Sequence, residues 1–522
     1  MRPFHSAVRV RGVLAGLAML ACLGGLPGGV RAATIYVTQT GSDANSGLSW
    51  SEAKGTVAGG LAAAVAGDEV WVAAGVYVER ITLKAGAALY GGFAGSETQL
   101  EQRSVASNPT VLDGNRTGNV VTSPSGATAT TRIDGFTIRN GYVSNGYGGG
   151  IYCSSSSPTI ANCTITENSA SFSGGGIYCS SSSPTIINCT IGANSANSGG
   201  GGIDCFCSSP TIANCTITGN SATYYGGGIY WGESSPTIVN CTITGNQASS
   251  GGGLCCEYDS AVITNCTIAG NIASSGGGIY CRYSRSTIAN TIVAFNSSGI
   301  HGTAFLIPVL WHNCVYGNTA HNYSGLTDPT GTNGNISADP LFVRHPHDGG
   351  DGWGTGDNDD YGNLRLLAGS PCIDAGNNVA LPADAADLDG DGDTSEPLPF
   401  DAAGRARLVD DPAKADTGAG TPPIVDIGAY EAFPTVRADF SRDGYVDAED
   451  LEMFEACATG PMVFYDPAAL PGPLPGCSLT PGGDGRIAAD FDRDGDVDQD
   501  DSGIFQRCYG TEAGPAQDCD AQ

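Results

Sequence analysis

The chain has 522 residues, with 53 acids against 23 bases and a net charge of −30. No basic patch is visible, which excludes nucleic acid as a partner. Apolar residues reach 41%, enough to bury a core, and 78 glycines imply many tight turns. The length allows two or three domains, and the acidity reflects either solubility in an extracellular medium or cation binding.

Residues 1–32 read as an export signal. Arg2, Arg9 and Arg11 precede the apolar stretch VLAGLAMLACLGGL, and cleavage is expected before Ala33. That stretch is short and glycine-rich for spanning a bilayer. The mature chain is therefore expected to be secreted, extracellular or at the cell surface, with no integral membrane segment. Residues 33–78 read as an N-terminal cap with the first strands. Within them TVAGGLAAAVAGD, at 56–68, is the one fair helix, placed to cover an open end of the core.

Residues 79–431 read as one solenoid. Degenerate coils at 79–93, 108–115 and 131–141 lead into GGGIYCSSSSPTIANCTITENSAS at 148–171. Cys163, Cys189, Cys215, Cys241 and Cys266 follow at intervals of 26, 26, 26 and 25 residues. Asn162, Asn188, Asn214, Asn240, Asn265 and Asn290 keep the same step, as do Asn168, Asn194, Asn220, Asn246, Asn271 and Asn296. Such a period signals a solenoid. The short runs GIYC, PTI and CTIT alternate in polarity and are separated by Gly, Asn and Ser, which predicts parallel strands stacked rung on rung. The fold class is thus all-β, a parallel β-helix, right-handed by the usual hand of parallel crossovers.

A second cysteine column holds Cys153, Cys179, Cys205, Cys256 and Cys281, interrupted by Trp231. Buried free thiols and rung-to-rung disulfides both remain open. A metal site does not fit, because the ligands fall one per coil and the repeat has no histidine.

Catalytic signals in the repeat are sparse. Asp204 and Glu233 lie 29 residues apart, near the repeat step, but in different slots of their coils. Glycoside hydrolysis needs two carboxylates facing one substrate. Tyr152, Tyr178, Tyr230 and Tyr280 share an outward slot, suited either to sugar stacking or to strand packing. Beyond residue 339 the pattern loosens. The acids of 348–360 are one place where a site could be built from loops. DLDGDGD at 387–393 is another, although Leu398 at its twelfth position leaves it short of a full calcium loop. VDIGAYE at 425–431 reads as a last strand closing the domain.

The sharpest motif comes last. DFSRDGYVDAED (439–450) and DFDRDGDVDQDD (490–501) follow the twelve-residue calcium-loop plan, 51 residues apart. Expected ligands are Asp439, Ser441, Asp443, Asp447 and Asp450 in the first, and Asp490, Asp492, Asp494, Asp498 and Asp501 in the second. Tyr445 and Asp496, at position seven, would offer backbone carbonyls. The expected cofactor is Ca2+. LEMFEAC and SGIFQRC can start helices. Cys457 and Cys477 are placed to staple the span between the loops, and Cys508 and Cys519 to fix the end.

On these motifs, residues 79–431 resemble secreted right-handed parallel β-helix proteins of the Pmp-like, pectate-lyase-like class. The GGGIYCSSSSPTIANCTI coils and the closing SPCIDAG and VDIGAYE look like those of planctomycete-type exported proteins. Residues 437–510 resemble a type I dockerin, an EF-hand-like module, with 511–522 as a tail. That resemblance implies docking to a cohesin-like protein. The long gap between the loops departs from the dockerin pattern. The leading expectation is a non-enzymatic, calcium-binding scaffold or adhesin-like protein that docks to a protein partner or a carbohydrate. The alternative is a lyase or glycoside hydrolase acting on an extracellular polysaccharide, since this fold does not by itself select a reaction.

Overall fold

The computed structural model describes residues 32–258, 260–303, 305–354, 358–384, 388, 391–412, 414–433, 438–440, 446, 448–459, 477, 479, 487–491 and 496–508. The expected export signal lies outside them, apart from Ala32. Among the described residues, no helix is long and apolar enough to cross a membrane.

Residues 34–324 form a parallel β-solenoid. Its first sheet has 11 strands, from Thr34–Val37 through Thr159–Ala161 to Val309–Trp311. The second has 10, from Ile81–Thr82 to Tyr323–Ser324, and the third has 10, from Gly75–Tyr77 to Cys314–Tyr316. Four two-residue strands, Tyr142–Val143 to Ser221–Ala222, add a short ladder on one corner. The stack begins earlier than the marked repeat, because Thr34–Val37 and Glu69–Ala73 already pair in parallel.

Register follows the sequence period. Ile151, Ile177, Ile203, Ile229, Leu254, Ile279 and Ile300 are successive partners in the second sheet. All are inaccessible and belong to one continuous core with the two cysteine columns. Strand alternation sends Ile and Cys inward and leaves Tyr and Thr outside.

The two asparagine columns do different work. Asn168, Asn194, Asn220, Asn246, Asn271, Asn296 and Asn318 form a buried ladder in which each Nδ2 donates to the next Oδ1 at 2.9 to 3.1 Å, the last to Asn322. Each Nδ2 also donates to a carbonyl of the preceding coil, as Asn220 does to Ile191 O at 2.8 Å. The other column, Asn162 to Asn290, supplies left-handed corners with φ of 46° to 53°. Glycine is required where coils crowd: a Cβ on Gly175 would lie 2.5 Å from Gly201 O.

The thiols of Cys189, Cys215, Cys241 and Cys266 each donate to the carbonyl two residues earlier at 3.2 Å. Burial pushes the Cys189, Cys215 and Cys241 thiols far up, so these columns are inert packing. Among the described residues, no cysteine of either column is in a disulfide.

Helix α1 (Val57–Ala63) places Val57 and Leu61 in the core at the N-terminal end. The Thr56 hydroxyl caps it, accepting from Gly59 N, and the Glu79 carboxylate accepts from Val57 N and Ala58 N.

Residues 338–433 turn back along the outside of the stack. A small antiparallel pair, Phe342–Arg344 with Asn363–Leu366, starts this return. Phe342, Leu364, Leu366, Cys372, Ile373 and Ile427 pack on Ala269, Ile292 and Ala294 of the third sheet. Leu398 packs on Ala161, Ile187, Ala213 and Val239 of the first. Asn290 exchanges two hydrogen bonds with the Asn377 backbone, at 2.8 and 3.1 Å. Residues 425–431 form bends rather than a closing strand. Gly428 N donates to Asn290 O at 2.8 Å and Ala429 N to Thr267 Oγ1 at 3.0 Å.

Near the C-terminus, helices α2 (Ala448–Ala456) and α3 (Gln499–Cys508) follow the two acidic loops. Phe440, Val446 and Phe454 share one core with Phe491, Val497 and Phe505, and a Cys457–Cys477 disulfide joins it. Cys519 lies outside the described residues.

Candidate functional site

The coils are monotonous except at one corner. After the second-sheet strands, successive coils place Ser155, Ser181, Cys207, Glu233, Tyr258 and Tyr283 in the same left-handed turn, with φ of 49° to 57°. Non-glycine residues held there carry a conformational cost, which is tolerated where the fold over-determines the turn. Serine gives way to Cys, Glu and Tyr along this line. There the surface opens into a groove of about 510 Å³ lined by Glu233, Ser234, Ser235, Tyr258, Tyr283 and Arg285, among others. The Tyr258 and Tyr283 rings stack with centroids 5.2 Å apart, and the Arg282 guanidinium lies 5.7 Å from the Tyr283 ring. Stacked aromatic faces beside hydroxyls, a carboxylate and a guanidinium can hold a polar ring by stacking and hydrogen bonding.

The sequence directs attention to the adjacent tyrosine slot instead. Tyr152, Tyr178, Asp204, Tyr230, Cys255, Tyr280 and His301 are in register there. Much of that strip is covered. Tyr178 is 8% exposed and packs on Tyr147 and Tyr152, while Tyr230 packs on Tyr225. The signal for the open corner is the line of departures from Ser at a fixed repeat position.

Asp204 and Glu233 are not a facing pair. Asp204 is buried in its strand between Tyr178 and Tyr230, and burial pushes its carboxyl up to about 8 against a weak opposing bond from Ser173. Glu233 is exposed at its turn, and its carboxylate accepts from Cys207 Sγ at 3.7 Å. Glu257 is engaged by Arg282 at 3.1 Å and by the Tyr230 hydroxyl at 3.2 Å. The acids of 348–360 serve turns and one ion pair: Asp348 accepts from Gly350 N, Asp359 from Gly354 N, and Asp360 pairs with Arg344 at 2.6 Å. Asp357, Asp387 and Asp389 lie outside the described residues.

Of the acidic-loop residues, Ser441, Asp443, Tyr445, Asp447, Asp492 and Asp494 also lie outside them. The others are placed. Asp439, Asp450, Asp490, Asp496 and Asp501 are buried. Asp496, Asp498 and Asp501 bring one carboxylate oxygen each within 4.8 Å of one another. Asp501 also accepts from Phe491 N at 2.6 Å and Asp498 N at 2.9 Å, closing the loop on itself. Asp496 thus contributes its side chain to the cluster, whereas the loop plan gives position seven only a carbonyl role. An all-oxygen set of this kind fits a hard divalent cation.

A family model for the right-handed beta helix region matches residues 103–243, and one for the Chlamydia polymorphic membrane protein repeat matches residues 240–257. No match was found among curated proteins. Two solved structures are similar in part. One, pectate lyase Pel9A, is 15% identical over 76% of this chain and 96% of its own, with a TM-score of 0.37. The other, the pectin methylesterase from Aspergillus niger in deglycosylated form, is 14% identical over 59% of this chain and 90% of its own, with a TM-score of 0.23. Likeness at these scores says nothing about the reaction or the ligand.

Proposed function

We propose that this chain is an exported, non-catalytic β-helix scaffold that holds a carbohydrate along the Glu233–Tyr283 corner and binds calcium in its C-terminal acidic loops. The observation that carries the reading is the open groove with two stacked tyrosines and, among the described residues, the carboxylate of Glu233. Its described lining offers binding chemistry, whereas glycoside hydrolysis would need a second carboxylate facing Glu233 across the substrate. In the C-terminal module the cation would be held by Asp496, Asp498 and Asp501. It would supply charge neutralisation that lets close carboxylates fold together. A cohesin-like partner would engage that module once it is ordered.

The test uses the full mature chain, calcium-loaded, against a panel of plant and algal polysaccharides. Retardation in affinity gels should occur with at least one polymer and weaken about tenfold in Tyr258→Ala and Tyr283→Ala, the loss of one stacking face each. Sustained release of new chain ends from any polymer would overturn the non-catalytic reading. Calcium titration of the chain and of Asp496→Asn/Asp501→Asn, followed by melting of the C-terminal module, tests the second half. A module equally stable with and without calcium would sink it.

A further inference from the structure

Asp374 sits in the SPCIDAG segment where the returning chain meets the stack. It is fully buried, yet neither of its carboxylate oxygens has a hydrogen-bond partner. Its backbone is pinned. Its N–H donates to Asp426 Oδ1 at 2.7 Å, its carbonyl accepts from Thr417 N and Gly418 N, and its φ of 52° is left-handed. The side chain is thereby directed at the 409–418 loop, which brings Asp410 and Asp416 to it. One oxygen of each of the three carboxylates lies within 4.8 Å of the other two. Among the described residues, none of the three is in an ion pair with a basic side chain.

We propose that Asp374, Asp410 and Asp416 form a divalent-cation site of calcium type that fastens the 409–418 loop to the returning segment. Three carboxylates converging without a base repel one another, and neither oxygen of the buried member makes a hydrogen bond to offset its burial. A cation removes both costs at once. Oxygen-only ligands select a hard ion, and the exposure of Asp410 and Asp416 leaves room for water to complete the seven or so positions calcium prefers over the rigid octahedron of magnesium. This site is separate from the C-terminal loops and does not depend on them.

Hydrogen exchange on the full chain, with and without calcium, distinguishes the two. At calcium roughly 100 times the dissociation constant, opening of the 409–418 loop should become about 100-fold rarer, and its amides should exchange correspondingly more slowly. The same protection should persist in Asp496→Asn/Asp501→Asn, which removes the C-terminal cluster. It should vanish in Asp410→Asn/Asp416→Asn, whose side chains are exposed and whose fold is retained. Magnesium should give little protection. Unchanged exchange in the unmodified chain would overturn the site. So would protection that survives Asp410→Asn/Asp416→Asn, or that disappears only with the C-terminal substitutions.

Discussion

The coil stack and the segment that returns along it are built on opposite principles. The continuous core of the stack is built of neutral side chains, and its polar ladder is paid off by repetition: each interior ladder asparagine meets an identical one above and below. The returning segment instead buries charge. Arg407 is almost wholly inaccessible, donates to Ala429 O at 3.0 Å and to Gly428 O, and lies 3.8 Å from Glu431. Glu431 N in turn donates to Asp401, and Asp426 accepts from the backbone of Asp374 and Ala432. Burial raises the Asp426 carboxyl to about 7, and burial with the nearby Asp426 also raises the Glu431 carboxyl well above its ordinary range. Repetition spreads stability over many equal contacts between neighbours. A single returning strap has no neighbours to share with, so it concentrates stability in a few charged groups.

If that contrast is right, damage in the strap should exceed damage in the stack. Arg407→Met should produce the largest loss, about 3–5 kcal/mol, because it strands Glu431 and Asp426 as buried acids without their base. Chemical denaturation of the full chain measures it; a loss below that of a ladder mutation would break the comparison. Next comes Asp204, a buried acid of the repeat coils. Asp204 ordinarily titrates at 3.8 and is raised to about 8. Folding therefore holds its proton while unfolding releases it, so its contribution is complete below its ordinary range, drains as pH rises, and is gone above about 8. The slope is about 1.4 kcal/mol per pH unit between those limits. Melting temperatures of the unmodified chain and Asp204→Asn from pH 5 to 8 should diverge with rising pH, the variant being the more stable; parallel curves would remove Asp204 from the account. Asn220→Ala should cost about 2 kcal/mol, since it leaves Asn194 N and Ile191 O without their partners. Proteolysis should then find the cut near that rung rather than at the ends.

The repeat was legible because its information is local and periodic. Ile151, Cys163 and Asn168 recur one coil later at equivalent sites, so spacing alone predicts what stacks on what. The same columns did not reveal that the two asparagine lines divide their tasks, because that depends on which corner is left-handed. The strap was not legible at all as a strap. Its contacts, such as Asn290 with Asn377 and Thr267 with Ala429, join residues 87 and 162 positions apart with no period to mark them. Its last residues read as a strand because Val425, Ile427 and Ala429 alternate with other residues, and tertiary docking overrode that preference. In the acidic loops, the ligand plan located the cluster but not the inward side chain of Asp496. At the groove, Tyr258 and Tyr283 were passed over in favour of a more regular column of tyrosines, since regularity marks packing and the departures mark the open surface.

The strap also changes how the solenoid bears a load. Rungs are joined by hydrogen bonds that run along the stacking direction, so tension applied along that direction would peel them one at a time, each break leaving the next exposed. The strap touches rungs from Ala161 to Ile292 through Leu398, Phe342 and Ile427. To separate those rungs, its contacts must slide in shear and fail together. Much of the repeat is in effect splinted by its own C-terminal segment, as a rod anchored at one end and pulled at the other would need.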